Sequence, residues 1–163
     1  MKKLQLLAIA TAALLAAPVA SFAHHWTSVC SAGAIDESSF GRFAFSNSSL
    51  TFAGGATGTI SARYNVANTS ASNRPTYTTL ELGSLDTSTL GWVSATLYEV
   101  DRCTGRTVII CSVTSTTQST ADCNTCTFSG FTFDFFNNLY YVLVNLSRTS
   151  ATATTQANTL RIY

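Results

Sequence analysis

The segment from residue 126 to residue 148, CTFSGFTFDFFNNLYYVLVNLSR, constrains the fold of this chain more than any other. Phenylalanine alternates with small or polar residues at positions 131, 133 and 135, which is the two-residue period of a strand with one buried face. Asn137 and Asn138 follow, and asparagine tolerates the positive φ angles of a short hairpin turn. The apolar run 140–144 predicts a central strand covered on both faces. The segment therefore predicts a β-hairpin at the centre of a sheet.

Short strand-like segments separated by turn signals recur along the rest of the chain. The clearest alternation runs from 59 to 67, where Ile60, Ala62 and Tyr64 are spaced two residues apart. Further strands are predicted at 40–45, 50–53, 77–82, 92–100, 107–113 and 159–163, and no stretch has a convincing helical period. Eight or nine short strands in a chain of this length predict one all-β domain. We expect a single two-sheet antiparallel β-sandwich, either jelly-roll-like or immunoglobulin-like.

Residues 1–23 have the features of a secretory signal peptide. Lys2 and Lys3 supply the positive start, an apolar run follows, and the segment ends in Ser21-Phe22-Ala23, with small residues at the two positions that a signal peptidase recognises. We expect a signal peptide at 1–23 and the β-sandwich domain at 24–163. The protein is then exported, to the periplasm, the cell surface or the medium, and the short Lys-Lys start favours a bacterial source.

The charge of the exported part excludes some partners. The nine basic residues include Lys2 and Lys3, so removal of the leader leaves seven arginines against eight acidic residues and a formal net charge of −1. A chain without a basic excess does not attract phosphates, so we expect no nucleic-acid partner. After the leader, no apolar run is long enough to span a bilayer.

Five cysteines in an exported chain indicate disulfide bonds with at least one cysteine left over. Cys111 and Cys123 flank a polar loop whose ends meet if the adjacent strands pair, and they form the first predicted bond. Cys103 and Cys126 form the second, and Cys30 stays unpaired. Cys123 and Cys126 also have CxxC spacing, but a redox site of that type requires the motif at the start of a helix. Here the motif precedes a phenylalanine-rich strand, and a structural disulfide is the favoured interpretation.

No catalytic constellation is present in the sequence. Both histidines, His24 and His25, lie at the predicted mature N-terminus, so a hydrolytic triad has no imidazole within the domain. Glu99 and Asp101 share one strand face, as a carboxylate pair would, but Arg102 and Arg106 lie next to them and favour a solvated ion-pair cluster. We therefore predict that the protein is not an enzyme and has no cofactor.

His24 and His25 nonetheless suggest a metal-binding alternative. A terminal amine and the ring of an N-terminal histidine chelate copper together, and imidazole suits that metal. The arrangement resembles the histidine brace of copper-dependent polysaccharide monooxygenases. Those proteins take a second histidine from elsewhere in the chain, whereas this sequence offers only the adjacent His25. The resemblance implies copper binding at the mature N-terminus without the full ligand set.

Exposed aromatic residues suggest a ligand-binding alternative, because aromatic rings stack on the faces of sugar rings. Trp92, which follows Gly91 at a predicted strand start, is the first residue to test. The other aromatic candidates are equally compatible with core packing, and they are Trp26, Tyr64, Tyr77, Tyr98, Tyr140 and Tyr141.

Three functions remain open at this point. The first is a noncatalytic structural, adhesive or assembly-forming protein of the cell surface or the extracellular space, whose partner is a second copy of itself or a surface glycan. The second is a carbohydrate-binding module that uses Trp92. The third is a copper-binding protein that uses His24 and His25.

Overall fold

The computed structural model describes residues 25–163, and the predicted signal peptide lies outside this range. The described chain contains eleven strands and two short 3₁₀ turns, Cys30–Ala32 and Glu37–Ser39. In the described part, no helix has the length and apolar character needed to cross a bilayer. The strands are β1 (Trp26–Val29), β2 (Ala34–Ile35), β3 (Phe43–Ser46), β4 (Ser49–Phe52), β5 (Gly58–Asn65), β6 (Thr79–Asp86), β7 (Gly91–Asp101), β8 (Thr107–Thr114), β9 (Asp122–Thr127), β10 (Asn138–Arg148) and β11 (Thr155–Ile162).

The strands form two antiparallel sheets. The five-stranded sheet has the order β2-β5-β10-β7-β8, and the six-stranded sheet has the order β3-β4-β11-β6-β9, with β1 paired to β11. The prediction of an all-β chain is confirmed, and the predicted number of strands, eight or nine, is wrong. The sequence patterns missed β1, β2 and β9. The first two are too short to show a period, and β9 carries polar residues and cysteines instead of an apolar alternation.

Buried residues from both sheets form one apolar cluster. Strand β10 supplies Tyr140, Val142, Val144 and Leu146, each spaced two residues from the next. On β5 and β7 the same period places Ile60 and Val93 in this cluster, together with the residues that follow each of them at two-residue intervals. The side of the five-stranded sheet that faces away from the cluster is called the outer face below.

Strand β10 lies between β5 and β7, as expected for a central strand. It is buried on one side only, because Tyr141 and Leu143 are partly exposed while Val142 and Val144 are fully buried. The prediction of burial on both faces is therefore wrong. The chain from 140 to 144 looks apolar on both sides because its outer positions hold an aromatic and an aliphatic residue that lie on the surface.

The predicted hairpin between the phenylalanine run and β10 is not formed. Residues 128–134 have no regular secondary structure, and residues 135–137 form the turn that leads into β10. Phe133 is nevertheless fully buried, and the centre of its ring lies 4.6 Å from the centre of the Tyr140 ring and 5.0 Å from that of the Tyr77 ring. The run therefore fills the end of the core as an aromatic cluster instead of extending a sheet.

Candidate functional site

The outer face carries an ordered grid of side chains that strand register fixes. Moving from one end to the other, successive rows across β5, β10, β7 and β8 are Thr59-Ser147-Trp92, Ser61-Asn145-Ser94-Thr114, Arg63-Leu143-Thr96-Ser112 and Asn65-Tyr141-Tyr98-Ile109. Aromatic residues occupy the first and the last of these rows. The two rows between them contain short polar residues, with Leu143 and Arg63 as the exceptions.

Trp92 lies on this face near the start of β7. It is 40% exposed, while the adjacent Val93 is fully buried in the core. Ser147 of β10 lies opposite it, and Thr59 of β5 lies beyond Ser147. Trp92 is thus exposed with hydroxyl-bearing residues beside it, and its role in ligand stacking stays a prediction.

Tyr98 and Tyr141 form the second aromatic feature of the outer face. Their rings are stacked, with centroids 4.9 Å apart and an angle of 11° between planes. Partial burial and the proximity of Tyr98 raise the pKa of Tyr141. The pair therefore presents a stacked aromatic surface.

Short hydrogen bonds hold the polar residues between the two aromatic features. Ser61 Oγ donates to Asn145 Oδ1 at 2.7 Å, and the hydroxyls of Thr96 and Ser112 lie 2.9 Å apart. Within the described chain, the side-chain amide nitrogen of Asn145 has no hydrogen-bond partner, so it remains free to donate to a ligand. Arg63 lies at the margin and forms an ion pair with Asp36, which leaves the middle of the face without an unpaired charge.

The other aromatic candidates belong to the core. Their burial removes them from any surface site, and they are Trp26, Tyr64, Tyr77 and Tyr140. Of the seven aromatic residues considered, the structure places Trp92, Tyr98 and Tyr141 together on one face. The sequence of β7 could have predicted that Trp92 and Tyr98 share a face, since both are an odd number of residues from the buried Val93.

Glu99 and Asp101 line one cleft of about 220 Å³ with Arg106, Val108 and Asn138. Asp101 accepts hydrogen bonds from the backbone of Cys103 and from the backbone and hydroxyl of Thr104. These bonds lower the pKa of Asp101, the largest contribution being the backbone hydrogen bond from Thr104. Asp101 therefore stabilises the β7–β8 turn as a carboxylate and is unsuited to donate a proton.

The histidine and metal predictions remain untested. His24 lies outside the described residues, and His25 is exposed with its ring edge-on to Tyr163, at a centroid distance of 5.8 Å. Among residues 25–163, no group of three or more histidine, cysteine, aspartate or glutamate side chains is arranged to hold a metal ion.

The structure corrects the predicted cysteine pairing. The bond joins Cys111 of β8 to Cys126 of β9, with Cα atoms 6.3 Å apart, and it links the two sheets. Cys123 lies three residues before Cys126 on the same strand, so its side chain lies on the opposite face and cannot replace it. Cys103 and Cys123 are exposed and unpaired, so the predicted Cys111–Cys123 and Cys103–Cys126 bonds are both wrong.

Cys30 is unpaired, as expected, and is completely buried. Burial raises the pKa of its thiol to about 12, and a hydrogen bond with Tyr64 acts in the opposite direction with a smaller effect. The Tyr64 hydroxyl donates to the Cys30 carbonyl at 2.6 Å. This thiol is therefore a neutral core residue and not a nucleophile.

No known protein-family model matches this sequence. A comparison with curated proteins also gives no match. Among solved structures, the chain is similar to a family two carbohydrate esterase from Cellvibrio japonicus, with 14% identity and a TM-score of 0.38 over 85% of this chain and 32% of the esterase chain. The aligned region is thus about a third of the esterase's length. It is also similar to the laminarinase from Rhodothermus marinus, with 8% identity and a TM-score of 0.41 over 85% of this chain and 95% of the laminarinase. Similarity at this level assigns the chain to neither family.

Proposed function

We propose that this protein is an exported, noncatalytic carbohydrate-binding protein that binds glycan on its outer face. The observation that carries the proposal is the placement of Trp92, 40% exposed and flanked by the hydroxyl-bearing residues Ser147 and Thr59. An aromatic ring contacts the apolar face of a sugar, while adjacent hydroxyl and amide groups bond to its hydroxyls. Both kinds of group are present on this face.

The absence of a catalytic role is part of the proposal. The two carboxylates that share a cleft, Glu99 and Asp101, are already engaged by protein donors. Glu99 accepts a hydrogen bond from the Asn138 amide, and the hydroxyl of Tyr140 lies 3.4 Å from the same oxygen. Neither carboxylate belongs to the outer face, so the proposed glycan surface and the acidic cleft are separate.

We also propose that the two sheets form a β-sandwich of jelly-roll type. Consecutive strands lie in different sheets at every step except from β3 to β4 and from β7 to β8. Eleven strands divided five and six exceed the seven to nine strands of immunoglobulin domains. A sandwich of this kind exposes one face of each sheet, and the outer face is one of them.

Binding of the mature protein to a glycan array and to insoluble polysaccharides tests the function. Trp92→Ala should lower the affinity at least about tenfold, as expected for a stacked aromatic anchor. Phe136→Ala is the matched control, because Phe136 is 66% exposed in the turn before β10 and lies outside the grid. Circular dichroism checks that both variants fold. Absence of binding to every glycan at millimolar concentration would sink the proposal.

A second candidate function is covalent assembly at the cell surface. Cys103 and Cys123 are both exposed and unpaired in a chain that also contains a disulfide bond. In an oxidising compartment, two such thiols on one chain allow it to link to two neighbours. Covalent oligomers on a non-reducing gel, lost in Cys103→Ser and Cys123→Ser, would support this function. A protein that stays monomeric after exposure to a disulfide oxidant would exclude it.

A further inference from the structure

The part of the outer face that lies between its two aromatic platforms, Trp92 and the Tyr98–Tyr141 pair, is called the trough below. Trp92 and Tyr98 lie on the same strand and the same face, six residues apart. At about 3.3 Å per residue, the platforms are separated by about 20 Å. Between them β7 contributes only Ser94 and Thr96, whose side chains are short, and β10 contributes Asn145 and Leu143.

The lining of the trough is almost free of charge. Its middle rows offer hydroxyl groups from Ser94, Ser112 and Thr114, and the free amide donor of Asn145. Arg63, the only charged residue in the four rows given above, is neutralised by Asp36 at the margin. Such a lining matches an uncharged ligand that is rich in hydroxyl groups, since unpaired charges near the ligand would be needed to select an anion.

Building on the proposed function, we propose that the trough binds a linear, uncharged polysaccharide that lies parallel to β7 and β10 and contacts both platforms. One sugar of the chain stacks on Trp92, and another, about 20 Å away, contacts the Tyr98–Tyr141 pair. The sugars between them bond to Asn145 and to the small hydroxyl side chains. A chain that reaches both platforms gains affinity because the second contact is intramolecular.

Isothermal titration with cello-, xylo- and manno-oligosaccharides, from disaccharide to hexasaccharide, tests this geometry. For the series that binds, affinity should rise at least about tenfold at the length that first spans both platforms. Tyr98→Ala should abolish this rise while leaving the short sugars bound at Trp92. Tyr98→Leu, which keeps the apolar bulk but removes the ring, serves as a second variant if Tyr98→Ala does not fold. Phe136→Ala should bind every length as the wild type does.

The possible results separate this inference from the function on which it rests. Binding that requires Trp92 but is equally strong for short and long chains, and is unchanged in the Tyr98 variants, overturns the two-platform geometry and retains carbohydrate binding. Preference for polygalacturonate over neutral chains, weakened by salt, overturns the uncharged ligand. No binding of any sugar, together with no effect of Trp92→Ala, refutes the proposed function itself.

Discussion

Replacing Arg148 with methionine should lower the free energy of unfolding by about 3–5 kcal/mol. Arg148 ends β10 and is 7% exposed. Its guanidinium donates to the carbonyls of Gly54 and Ala56, each at 2.7 Å, and of Ala153 at 3.0 Å. The guanidinium carbon also lies 4.6 Å from the centre of the Phe52 ring. The side chain therefore fastens two loops, one after β4 and one before β11, to the end of the five-stranded sheet.

The magnitude follows from what methionine keeps and what it loses. Methionine retains an unbranched apolar stem, so packing against Phe52 is largely preserved. It loses these three hydrogen bonds from a charged donor, each worth about 1.5–3 kcal/mol, and a longer one of 3.5 Å from Nη1 to the Ala151 carbonyl. Part of this loss is offset because a buried charge no longer has to be desolvated, and because water reaches the exposed Gly54. The remaining cost is about 3–5 kcal/mol, and none of the ion pairs formed within residues 25–163 contributes to it.

Urea unfolding followed by tryptophan fluorescence and circular dichroism measures this cost from the midpoint at constant m-value. Arg161→Met is the matched control, because Arg161 is partly exposed and its guanidinium packs over the Tyr163 ring without fastening a loop. It should cost less than about 1 kcal/mol. If Arg148→Met and Arg161→Met destabilise the protein equally, the role assigned to the three carbonyl bonds is wrong.

Two further predictions concern the core. Leu146→Ala should lower the free energy of unfolding by about 2–5 kcal/mol, and Leu143→Ala by less than half as much. The reason is that Leu146 is fully buried, whereas Leu143 lies partly exposed on the outer face of the same strand. Equal losses in urea unfolding would contradict the assignment of the two faces. The pKa of the Cys30 thiol is raised from 9.0 to about 12 in the folded state, so the folded protein holds a proton that the unfolded chain releases, and the stability that Cys30 contributes is lost as pH rises from 9 towards 12. Unfolding free energies measured across this range should fall less steeply in Cys30→Ala than in the wild type, and identical slopes would show that Cys30 does not titrate with folding.

Much of the fold follows from alternation alone. The strands predicted at 92–100 and 107–113 are present as β7 and β8 and pair with each other, because both show a clear period and a polar turn separates them. The last strand was also predicted, but its position in the interior of the six-stranded sheet was not. That position depends on pairing with β4, β6 and β1, and residues so distant in sequence leave no local trace in the chain.

The wrong hairpin has a specific physical cause. Phe131, Phe133 and Phe135 alternate as a strand does, but their backbone bonds elsewhere: the amide of Phe133 donates to the Pro75 carbonyl, and that of Phe135 to the Asn73 carbonyl. Alternate aromatic side chains identify residues that seek burial, and they do not specify which backbone partner satisfies the N–H groups. Burial of Phe133 was thus predictable, whereas its secondary structure was not.

Part of the candidate site can likewise be predicted from the sequence of single strands, and part depends on how the strands pair. The parity of β7 places Trp92 and Tyr98 on the side opposite Val93, and the parity of β10 places Tyr141 opposite Val142, so all three aromatic residues are assignable to an outer face from the sequence. That Tyr98 stacks on Tyr141 depends on the register between β7 and β10, and a shift of two residues would leave every inward residue buried while separating the two rings. The core therefore tolerates several registers that the trough does not. The proposed glycan surface requires the one register in which Tyr98 and Tyr141 stack, so the second platform can be identified only from the paired strands.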